Sequence, residues 1–150
     1  MPLQCRERYK PKLTNSTMTE TIVLSIRPRF VEEIFEGRKR FEFRKVMPSN
    51  REIHRVLIYE SAPISMVVGE FTVAGLGRCS VESMWHFCAP FAGITKREFF
   101  EYFQDCHIAQ CYIINTYRKY KKPYPITLLG FNRPPQNFYY IGNLTAYETE

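Results

Sequence analysis

The stretch Gly37-Arg38-Lys39-Arg40-Phe41-Glu42-Phe43-Arg44 sets a lysine, a carboxylate and a guanidinium close together along the chain. Phe41 and Phe43 alternate with Arg40, Glu42 and Arg44. A period of two predicts a strand, with Glu42 and Arg44 on one face and the phenylalanines on the other. Inside a pocket, burial and the neighbouring Arg44 would make Lys39 give up its proton more readily, and a neutral lysine can act as a base. Glu42 can accept a hydrogen bond from a base edge such as cytosine N4. Arg44 can hold Glu42 in place or bind a phosphate. The plain alternative for these residues is a partly buried salt bridge that closes the core.

Flanking elements must position this group. Thr21–Ile26 is rich in β-branched residues and predicts a buried strand. Pro28 fits the first position of a helix, where its missing N–H costs nothing. Phe30, Val31, Ile34 and Phe35 form the apolar stripe of that helix, and Glu32, Glu33 and Glu36 face water. Gly37 ends it. Further strands are expected at Val56–Tyr59, Met66–Ala74, Ile108–Thr116, Ile126–Phe131 and Phe138–Ile141, with Gly69 marking a bulge or a close backbone approach and Gly75 and Gly77 loosening the chain. Ser80 is placed to cap a helix over Val81–Phe87, and Thr95 with Glu98 forms a capping box for another. Residues 1–17 read as a flexible basic arm, and residues 18–150 as one domain.

A chain of 150 residues with 45% apolar content and 15% aromatics can bury a sizeable core, which excludes a wholly disordered protein. The net charge of +6 favours polyanionic partners. It is unevenly spread: residues 1–17 carry +3, residues 27–55 carry +4, and residues 117–135 carry +5 with no acid at all. The last segment holds Arg118, Lys119, Lys121, Lys122 and Arg133, candidates for backbone contacts to a nucleic acid. Five cysteines without a C-x-x-C pair, and no secretory h-region, point to reduced thiols and a cytoplasmic protein. No apolar run approaches the roughly 20 residues of a membrane span. His86-x-Cys88 and Cys106-His107 with Cys111 match no common zinc spacing, so neither a metal nor another cofactor is expected. Phosphate-binding glycine loops and the G-x-S-x-G elbow are absent from the sequence.

A strand, a proline-started helix and then Gly37-x-Lys39-x-x-Glu42-x-Arg44 together resemble the signature of ASCH domains, a branch of the PUA-like superfamily. The resemblance runs from Ile22 to about Ile141. It implies an α+β fold, a PUA-like compact mixed β-barrel with flanking short helices. It also implies one of several activities. Some ASCH proteins are similar at Gly37, Lys39 and Arg44 and remove acyl groups from N4-acetylcytidine, using a lysine, a threonine three residues later and a glutamate on a later helix. Lys39 matches that lysine, Glu42 stands where the threonine would be, and Glu98 falls at the later glutamate. Others are RNA-binding modules or single-strand ribonucleases, for which a lysine with a tyrosine or serine suffices. Tyr59 and Ser61, at a strand end, are the candidates here. The superfamily's aromatic base pockets make Trp85, Phe87, Tyr139 and Tyr140 stacking candidates.

The reading that follows is a domain that binds RNA or a modified nucleotide, with DNA as a further candidate, in a cleft lined by Lys39, Glu42 and Arg44. Its rivals are a hydrolase acting on RNA or N4-acylated cytidine through Lys39, and a regulatory domain that binds protein through its arm.

Overall fold

A computed structural model describes residues 20–48 and 52–142. The expected arm at 1–17 lies outside them. The chain opens with β1 (Glu20–Ile26), α1 (Pro28–Phe35) and the short β2 (Phe41–Phe43). Next come β3 (Ile53–Glu60), β4 (Met66–Ser80), α2 (Val81–Cys88), a 3-10 turn at Ala89–Phe91 and α3 (Lys96–Tyr102). The remainder is β5 (Ile108–Tyr124), a second 3-10 turn at Ile126–Leu129, and β6 (Tyr139–Ile141).

Six strands form one sheet in the order β2-β5-β4-β3-β1-β6, with β1 and β3 parallel and every other pair antiparallel. The fold is therefore α+β, as expected. The barrel is not: β2 and β6 are the two ends of the strand order, and among the described residues no pairing joins them. Curvature comes instead from the β4–β5 pair, whose register shifts at Val67/Gly69 and Phe71/Val73, where the extra residues lie on β5, and at Val73/Gly75, where the extra residue lies on β4. Each extra residue bends and twists the strand. Gly75 and Gly77 thus lie inside a continuous strand rather than loosening the chain, and the basic run 118–122 is strand as well. Ile126–Leu129 is a 3-10 turn where a strand was expected.

The apolar residues sort into three clusters. Ile22, Leu24, Val56, Ile58 and Phe71 cover one sheet face, and α1 docks Val31 and Ile34 on it. On the other face, Val23, Leu57, Tyr59, Val67, Tyr120 and Tyr124 form a second cluster, closed by Ile126 and Ile141. The third gathers Phe43, Met84, Cys88, Phe99 and Phe103 beneath α2 and α3. Ser80 caps α2 and the Thr95–Glu98 capping box opens α3, both as the sequence predicts. Cys88, Cys106 and Cys111 are free thiols, whereas Cys79 is disulfide-bonded, against the expectation that all five are reduced. No described helix is long and apolar enough to cross a membrane.

Candidate functional site

A cleft of about 490 Å³ opens where the end of β1, the start of α1, β2 and α3 meet. Its walls include Arg27, Phe30, Lys39, Glu42, Arg44 and Tyr102. The local sequence explains how Lys39 enters. Gly37 takes a left-handed conformation at φ 76° just past α1, and the N–H groups of Arg38 and Lys39 both donate to the Glu33 carbonyl at 3.0 Å. That tight closure turns the chain inward. Lys39 ends 3% exposed, with its Nζ donating to the Ala92 carbonyl at 2.6 Å. The ammonium lies 4.8 Å from the Phe43 ring centroid and 5.3 Å from that of Phe30. Burial pulls its pKa below the ordinary lysine value, against the opposing pull of the Glu42 carboxylate.

Glu42 and Arg44 share a face of the β2 segment, as their spacing predicts. Arg44 Nε donates to Glu42 Oε1 at 3.2 Å, and its terminal nitrogen donates to the Ser25 carbonyl at 2.6 Å. The pair is a real, largely buried salt bridge, but it leaves Glu42 half satisfied. Glu42 Oε2 is buried and has no hydrogen-bond partner. Tyr112, directly opposite on β5, likewise buries an unpartnered hydroxyl, and burial pushes its pKa up. Buried acceptors are nearly always paired, so this lone carboxylate oxygen behind the cleft wall is an exception within the site.

Across the cleft stand Glu98, Glu101 and Tyr102 of α3. Glu98 serves the capping box and pairs with Arg29, contacts that hold its carboxyl below the usual range. Tyr102 accepts from the Lys45 N–H at 3.2 Å, and burial raises its pKa. Arg27 stands exposed in the cleft wall, with no carboxylate partner among the described residues.

Lys39, Glu42, Arg44 and Glu98 therefore meet in one place. The other sequence candidates lie elsewhere. Tyr59 is buried in the cluster on the far sheet face, and Ser61 opens the turn after β3, its N–H bonded to the Ile26 carbonyl at 2.9 Å; neither lines the cleft. Arg118 donates to Glu70 at 2.9 Å, as does the Tyr120 hydroxyl, and neither side chain lines the cleft. Lys119, Lys121, Lys122 and Arg133 are exposed, outside the cleft. Trp85 packs against Phe99 and Phe100, Tyr139 stacks on Phe131, and Tyr140 meets Phe138, so none of these rings faces the cleft. The residues that sequence reasoning missed are Arg27 and Tyr102. Arg27 had a readable signal, since it joins a strand end to a proline-started helix; Tyr102 had none. Among the described residues, no three metal-ligating side chains cluster.

The ASCH domain model matches residues 24–135. The chain is 31% identical over 123 residues to a Ureaplasma parvum protein named ATP synthase subunit alpha, across 81% of this chain and 15% of that protein. It is 28% identical over 124 residues to large ribosomal subunit protein uL22 of the same organism, across 82% of this chain and 40% of the relative. It thus spans well under two thirds of both. Against the ASCH domain-containing ribonuclease of Zymomonas mobilis it is 24% identical over 128 residues, 85% of this chain and 84% of the relative. The crystal structure of ASCH from Zymomonas mobilis superposes with a TM-score of 0.75 at 22% identity, covering 82% of this chain and 88% of that one. A serine-to-alanine variant of that protein superposes equally, with a TM-score of 0.75.

Proposed function

The chain belongs to the ASCH domain family, and on that premise we propose that its cleft binds one nucleotide of a single-stranded RNA. The observation that carries this reading is the unpartnered, buried Glu42 Oε2. A carboxylate oxygen held in place by Arg44 accepts from the exocyclic amino group of a base, cytosine N4 above all. The rings of Phe30 and Phe43 supply apolar surface beside it, and Arg27 offers a cation to the phosphate. Lys119, Lys121 and Lys122 add backbone contacts that position a strand without reading it. Titration of single-stranded RNA into wild type and Glu42→Gln tests the reading. Binding that falls with salt and weakens in the variant is expected; equal affinity of the two proteins would remove Glu42 from recognition.

A second reading, cleavage of the bound strand, is favoured by the depressed pKa of Lys39 and by the name of the Zymomonas mobilis relative. Neutral Lys39 would take the proton of a ribose 2′-hydroxyl. The 2′-oxygen would then form a bond to phosphorus as the bond from phosphorus to the 5′-oxygen breaks, leaving a 2′,3′-cyclic phosphate. Tyr102, kept protonated by burial, would return a proton to the departing oxygen. Cut RNA from wild type and none from Lys39→Ala is the expected result. The same assay with N4-acylated cytidine separates this chemistry from deacylation.

A further inference from the structure

We infer that the groove next to the cleft holds the adjoining nucleotide of the same strand, an inference that rests on the cleft reading above. This groove, of about 660 Å³, shares Ile94 and Glu98 with the cleft, so the two hollows abut along one wall. Phe91 lines it and is 45% exposed, a large apolar surface for a ring that sits in a short turn. The Arg40 guanidinium lies 4.9 Å from the Phe91 centroid, and the Arg40 N–H donates to the Phe91 carbonyl at 2.8 Å. Those contacts fix the ring and leave much of its surface open, which is the arrangement of a base-stacking platform.

Cations flank this ring. Arg29 and Arg38 both line the groove, paired with Glu98 and Glu33 respectively, and their side chains are 59% and 55% exposed. One carboxylate does not exhaust a guanidinium's five donors, so N–H groups remain for a phosphate. Beyond Arg38 the groove reaches Gly37, where an added Cβ would stand 3.0 Å from the Tyr117 hydroxyl. Tyr117 begins the exposed basic run of β5. The groove therefore lies on a path from the cleft to Lys119 and Lys121. An aromatic platform between guanidiniums, continuous with a nucleotide cleft and leading to lysines, fits a polyanionic strand of bases.

The test compares cytidine monophosphate with a cytidine dinucleotide, titrated into the full chain as wild type, Phe91→Ala and Arg38→Ala. The dinucleotide should bind wild type about tenfold more tightly, the weight of one stacked base. Phe91→Ala should erase that gain and leave the mononucleotide unchanged. Arg38→Ala should flatten the salt dependence of dinucleotide binding by about 0.7 in log–log slope. No gain from the second nucleotide, or equal weakening of both probes by Phe91→Ala, overturns the subsite while the cleft reading stands. If the mononucleotide fails to bind wild type, the cleft reading falls and takes the subsite with it. An unchanged salt slope in Arg38→Ala removes the phosphate contact.

Discussion

Gly93 stands where a single methyl group would collide with Lys39. A Cβ at that position would lie 2.5 Å from Lys39 Cβ, 2.7 Å from Cγ and 2.8 Å from Cδ, and the backbone there has φ 67°. The stem of the buried lysine is therefore threaded past a glycine, and its ammonium is delivered to the Ala92 carbonyl next door. Gly93→Ala should destabilise the fold by about 1–3 kcal/mol through strain at that φ, and should abolish whatever binding or turnover Lys39 supports. Urea denaturation measures the first effect and nucleotide titration the second. Retained binding with Lys39 intact would mean that the lysine's position is not critical.

Lys39 also predicts a pH dependence. Its pKa is lowered in the folded state, so the unfolded chain binds more protons over the interval between the folded value and the ordinary lysine value. Stability should therefore rise with pH across that interval. Lys39→Met, which replaces the charge by an apolar chain of similar length, should flatten this rise. Denaturation midpoints measured at several alkaline pH values provide the check, and parallel curves for the two proteins would show that the ammonium's burial carries no such penalty.

For Glu42 the expected effect is on selectivity. Glu42→Gln keeps the shape but turns one acceptor oxygen into a donor amide. Discrimination for cytidine over uridine should drop by about 1–3 kcal/mol, the usual weight of a good base contact. Competition between the two nucleosides' oligomers would reveal it. The folded state should tolerate the change, because the carbonyl that remains can still accept from Arg44.

The basic strand should divide by role. Lys119, Lys121 and Lys122 are exposed, whereas Arg118 is engaged by Glu70. Replacing the three lysines by alanine should flatten the salt dependence of RNA binding by about 2 in log–log slope. Arg118→Ala should instead lower stability, because it takes a donor from the buried Glu70 carboxylate.

Glu70 itself should act on stability alone. It is 8% exposed and accepts from Arg118 and Tyr120, with Arg55 at 3.6 Å. Glu70→Ala strips the acceptor from this buried group and should cost about 1–3 kcal/mol. Calorimetric melting measures it, and nucleotide affinity in the cleft should stay as in wild type.

Local signals in the sequence carried much of this architecture. Pro28, Gly37, Ser80 and the Thr95–Glu98 box mark their helix ends in the structure as their chemistry dictates. The alternation around Glu42 placed the salt bridge with Arg44 correctly, because strand periodicity is a property of the backbone. What failed depends on tertiary pairing. Gly75 and Gly77 look like breakers in isolation, yet β4 runs through them because β5 supplies a partner at Ile113 and Cys111. Tyr59 alternates as well as any strand residue, but nothing in its neighbours says which sheet face is lined by helices. Tyr102 reaches the cleft only because α3 is laid across β2, a juxtaposition of residues some sixty positions apart.

The length of β5 has a geometric consequence. The same strand that backs Glu42 at Tyr112 continues to Lys121. A straight strand at about 3.3 Å per residue would span roughly 30 Å in those nine steps, and the register shifts of β5 against β4 between Ile114 and Tyr117 and beyond Lys119 shorten that reach. The spacing between the cleft and Lys121 is therefore carried by one strand and set by its backbone. On the proposed RNA reading, a strand that touches both the cleft and the lysines would have to cover that distance, and shorter ones would engage a single end.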